Sequence, residues 1–141
     1  MITHEEWMKD QLKPLSMFEI AKWWADGLKI LAAGNGAGLL TAGAALTTFH
    51  DHPRAFLEVK ICGAVFFVGV LAFAVGYLMI YVAMHAQDEV AQAVMKKDTR
   101  RIHEQSAVSG NSMSLANTMA IASTAAFFLG SVVGLIAFLS F

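Results

Sequence analysis

Hydrophobic and polar positions divide this chain into three long uncharged stretches, with the charge gathered between them. Residues 30–49, 61–84 and 113–141 contain no Asp, Glu, Lys or Arg. A bilayer core of about 30 Å is crossed by roughly 20 helical residues, so each stretch is long enough to span it. In hydrocarbon the backbone must bond to itself, which makes helices the expected form. The pattern predicts an all-α membrane protein with three transmembrane helices, a short N-terminal amphipathic helix and a long cytoplasmic extension of the second span.

The expected organisation is one membrane domain over residues 1–141. Residues 1–26 are assigned to cytoplasmic or interfacial N-terminal helices, 27–49 to span 1 and 50–60 to an external turn. Span 2 follows at 61–84, a cytoplasmic helix and linker at 85–112, and span 3 at 113–141. Thr3 with Glu6, and Ser16 with Glu19, have the spacing of capping boxes. Pro14 disfavours helix at the residue before it and separates the two. Acidic residues in 1–13 break the basic-then-apolar order of a cleaved signal, so span 1 is expected to be a retained anchor. Trp23, Trp24, Lys22 and Lys29 are the expected interfacial anchors, because amphipathic rings and snorkelling ammonium groups prefer the headgroup region. Met84, Ala91, Met95 and Ile102 recur at helical spacing. Span 2 is therefore expected to run on as an amphipathic helix to about Gln105, with 106–114, which contains Gly110 and Asn111, as a flexible linker.

Small residues supply the candidate packing positions. Gly34 with Gly38, and Gly130 with Gly134, form G-x-x-x-G pairs, which let helices approach closely in lipid. Cys62, Gly69, Gly76 and Ala83 repeat at seven, the period of a left-handed helix seam. Cys62 is read as a small apolar packing residue. A polar membrane face is expected from Asn35 and from Asn117, Thr124 and Ser131, also seven apart. It would either bond a neighbouring helix or line a narrow wet path. Asn35 is read as interhelical glue.

Orientation follows from the basic residues. Lys9, Lys13, Lys22 and Lys29 precede span 1, and Lys96, Lys97, Arg100 and Arg101 follow span 2. Arg54 and Lys60 stand alone in the turn. The positive-inside rule places the N terminus in the cytoplasm and the C terminus outside.

Composition narrows the function classes. A net charge of −1 gives no reason to expect a nucleic-acid partner. No Asp, Glu, Lys or Arg lies within spans 2 and 3, which argues against a proton pump, voltage sensor or ion-coupled carrier. His50-Asp51-His52 has metal-ligating atom types, but three ligands in one short turn rarely close a site, and no metal is expected. Nucleophile-elbow, phosphate-loop and metalloprotease motifs are absent, so neither an enzyme nor a cofactor is expected. Glycine and alanine seams on all three spans point to a homo-oligomeric small integral membrane protein, a pore-forming or membrane-perturbing effector of the defence or lysis type. The alternative is an accessory or scaffold subunit docking onto a larger membrane complex or a cytoplasmic partner.

The stretch Leu-Ala-Ala-Gly-Asn-Gly-Ala-Gly-Leu-Leu at 31–40 resembles the first span of small uncharacterised bacterial three-span inner-membrane proteins. These share an acidic N-terminal helix, a tight hairpin and a third span after a polar helix. The Asn-Gly pair at 35–36 is the specific motif, although Gly34 stands where an aliphatic residue is more usual. The resemblance implies a bacterial inner (cytoplasmic) membrane and brings no activity with it.

Overall fold

The computed structural model describes residues 17–140, and the expected helix over 1–13 with its Thr3 cap, like the Ser16 cap, lies outside them. Three helices account for almost all of the described chain: α1 (Met17–Thr48), α2 (Pro53–Met95) and α3 (Thr99–Leu139). All three are long and apolar enough to cross a membrane. α1 and α2 form the tight hairpin that the short polar turn predicted. His52 precedes α2 and Pro53 occupies its first turn, where a missing N–H costs nothing.

α2 and α3 are 43 and 41 residues long, about 65 and 60 Å at 1.5 Å per residue. They run antiparallel and share the largest interface in the molecule, whereas α1 touches α2 less and α3 least. The interface is built from two opposed seven-residue ladders. On α2, Ala55, Cys62, Gly69, Gly76 and Ala83 are buried, and on α3, Ser109, Ala116, Ser123, Gly130 and Ala137. Contacts between Cys62 and Gly130, Gly69 and Ser123, and Gly76 and Ala116 set the register. Small residues therefore meet small residues along the whole hairpin, and the backbones approach closely.

The ladder corrects the expected linker. Residues 106–114 are helical, and the chain reverses at Lys96-Lys97-Asp98 instead. Ser109 and Ser112 are buried, so the polar run that resembles a linker is a small-residue seam continuing beyond the apolar stretch. Gln87 Nε2 donates to Ser109 Oγ at 2.8 Å across it, and Arg101 pairs with Glu89. The reversal has its own signals. Lys97 adopts a left-handed φ of 55°, and the Asp98 carboxylate accepts from the Arg101 backbone N–H at 3.1 Å, capping α3. The amphipathic face expected for this region also changes. Ala91 and Met95 are exposed, and Ala83, Ala86 and Ala93 are buried in their place.

Candidate functional site

One polar junction joins all three helices inside the apolar zone. Asn35 on α1 and Ser123 on α3 are both fully buried. The Asn35 amide nitrogen donates to the Leu31 carbonyl at 3.0 Å on its own helix and to the Ser123 carbonyl at 3.1 Å, with Ser123 Oγ also at 3.1 Å. Ser123 Oγ in turn donates to the Gly69 carbonyl on α2 at 2.9 Å. Carbonyl oxygens only accept, so the nitrogen end of the amide must be the one that faces Leu31 and Ser123.

Asn35 Oδ1 receives no hydrogen bond and is buried. It faces Gly69 so closely that any Cβ there would collide with it. The missing side chain at Gly69 leaves Oδ1 the room it occupies, and Oδ1 bears the penalty of an unmade bond. All groups in the junction are neutral, and none is a nucleophile activated by a base. What it can do chemically is hold α1 on the α2–α3 hairpin at one depth.

Around the junction, glycines on one helix receive large side chains from another. A Cβ at Gly34 would stand 2.9 Å from the Phe127 ring. The Phe66 ring is clasped between Gly38 and Gly130, where added Cβ atoms would stand 2.5 and 2.9 Å from it. Gly76 faces Met119 and Leu28, and a Cβ added at Gly134 would stand 3.3 Å from the Cys62 sulfur. All six candidate packing glycines thus meet side chains of their own chain. Cys62 is buried, with its thiol 3.2 Å from the Gly130 carbonyl.

The candidate polar face divides. Asn35 lies at the core, but Asn117 and Ser131 are exposed and Thr124 is half-buried. Thr124 Oγ1 donates to the Ala120 carbonyl and Ser131 Oγ to the Phe127 carbonyl, each on its own helix. Neither hydroxyl bonds another helix of the chain. The seam is one residue away: Ala116, Ser123 and Gly130 immediately precede Asn117, Thr124 and Ser131, and with Ser109 they are the buried residues. The complementary heptad on α2 was the available signal.

Between α1 and α3, beside the junction, lies a groove of about 800 Å³. Trp23, Trp24, Gly27 and Leu31 form one wall, and Ile121 and Phe128 are on the other. Glu19 and Thr124 also line it. Trp23 is 76% exposed and Trp24 38%. Lys22 is exposed, and Lys29 pairs with Asp26 at 3.0 Å. Tyr77 and Tyr81, both exposed, end the apolar part of α2. At the opposite end of the spans, the exposed turn brings His50 Nδ1 within 2.9 Å of Asp51. Among the described residues no group of three His, Cys, Asp or Glu could hold a metal ion.

No known protein family, curated protein or solved structure matches the chain.

Proposed function

We propose that this protein is a homo-oligomeric membrane unit that self-associates through the outer face of α1. The observation that carries the reading is a contrast among glycines. Gly36 and Gly43 point away from the hairpin with nothing within 4 Å of an added Cβ. Glycine in a helix is about 1 kcal/mol less favourable than alanine, and these two return no packing within the chain. A second helix approaching along this face would supply it. The face is periodic: Lys29, Gly36 and Gly43 repeat at seven, as do Ala33, Leu40 and Thr47, which are exposed. Copies inserted with the same topology meet with α1 parallel.

The test is the mass of the purified protein in detergent and in nanodiscs. Wild type is expected to be a closed oligomer, and Gly36→Leu with Gly43→Leu is expected to dissociate into folded monomers. A monomeric wild type overturns the reading. It would favour the accessory or scaffold alternative, for which the exposed Val94 and Met95 at the hairpin tip offer a docking surface. In the pore-forming or membrane-perturbing form of the proposal, Asn117, Thr124 and Ser131 line a wet path between copies. Replacing them with Ala, Val and Ala then abolishes liposome leakage while leaving oligomer mass intact.

The proposal places the protein in a bacterial inner membrane, with the N terminus and the 85–112 hairpin in the cytoplasm and the C terminus outside. The basic residues at 96–101 support that orientation. A reporter active only in the periplasm, inserted at Lys97, is expected to be silent.

A further inference from the structure

We infer that Asp26 and Lys29 are the recognition charges of the α1 interface, each bonding its counterpart on a second, parallel copy of this chain. The inference rests on the self-association proposed above and names the contact that fixes its orientation and register. Lys29 Nζ donates to Asp26 Oδ1 at 3.0 Å, one turn away on α1, and both side chains are more than half exposed. No other group among the described residues bonds either of them. One carboxylate oxygen and two ammonium hydrogens are therefore open.

The register of the three helices gives the depth of this pair. Gly38 meets Phe66, Asn35 meets Gly69 and Leu28 meets Gly76, so α1 and α2 run past each other residue for residue. Asp26 and Lys29 then stand level with Leu78 and Val75, inside the uncharged stretch 61–84. On α3 the same level falls at 114–117, which is uncharged too. α2 turns polar at His85, about 10–15 Å further along at 1.5 Å per residue. In a lone chain an exposed ion pair at this depth faces acyl chains. Ionisable groups within spans almost always turn toward a bundle interior or a wet cavity. A second copy makes the outer face an interior.

The spacing fits a parallel neighbour. Asp26 lies seven residues before Ala33 and Lys29 seven before Gly36, so both extend the outer face toward its N-terminal end. Helical side chains lean toward the N terminus, which brings Lys29 toward the level of Asp26. On a parallel neighbour those levels coincide, and each ammonium meets the carboxylate across the interface. An antiparallel neighbour centred between Gly36 and Gly43 would set Lys29 level with His50 instead.

The test uses full-length Asp26→Lys and Lys29→Asp chains with different affinity tags, expressed singly and together. Each alone presents like charges across the interface and is expected to lose assembly about tenfold or more. Together they are expected to form oligomers carrying both tags, although neither chain can make the pair within itself. Recovery of that mixed oligomer requires a contact that crosses between copies, and requires both variants to insert and fold. If both variants assemble alone as wild type does, or if the co-expressed chains fail to assemble, the charge contact is overturned while wild-type self-association stands. A monomeric wild type overturns both.

Discussion

The inner and outer faces of α1 use the same small residues for opposite ends. Inward, Gly34 and Gly38 receive the rings of Phe127 and Phe66, and Asn35 is threaded between Gly69 and Ser123. Outward, Gly36 and Gly43 meet nothing. A glycine in a membrane helix thus gains its meaning from what fills the space its missing side chain leaves. Where a ring fills it, the glycine is part of the tertiary fold. Where nothing does, it is available to a partner outside the chain.

The largest expected effect is on the inner face. Gly38→Leu and Gly69→Leu drive a side chain into the Phe66 ring and the Asn35 amide, and each should destabilise the three-helix fold by about 3 kcal/mol. Gly36→Leu and Gly43→Leu should not lower that stability, since neither glycine packs within the chain. Reversible unfolding in mixed micelles measures both. Equal losses on the two faces would dissolve the distinction.

Next comes the junction itself. Asn35→Leu removes the bonds to Ser123 and leaves Ser123 bonded to Gly69, and a loss of about 1–2 kcal/mol is expected. Hydrogen exchange should then rise across α1 while the α2–α3 ladder stays protected, because α1 holds by the smaller interfaces. Uniform exchange across all three helices would show that α1 is not a separately attached element.

Smaller effects mark the hairpin's end and its outer stripe. Lys97→Gly relieves a left-handed backbone and should stabilise by about 0.5–1 kcal/mol. Replacing Asn117, Thr124 and Ser131 together with Ala, Val and Ala should change stability by less than about 0.5 kcal/mol, since the two hydroxyls bond only their own helices. A loss beyond 1 kcal/mol in monomeric protein would place that stripe in the packing after all.

The three spans, the tight first turn and the Cys62–Gly69–Gly76–Ala83 seam were legible in the chain alone. Length without charge decides which segments enter lipid, and a period of seven decides which residues of a helix share a face. Only the tertiary structure decided the partner of each face. Asn117, Thr124 and Ser131 repeat at seven as regularly as Ser109, Ala116, Ser123 and Gly130, yet the first set is exposed or half-buried and the second is buried. Serine is small enough to pack and polar enough to face solvent, so its own pattern cannot choose between a linker at 106–114 and a seam. The opposing ladder on α2 makes that choice, because Gly69 offers Ser123 a carbonyl at bonding distance and leaves Asn35 just the room of a missing side chain.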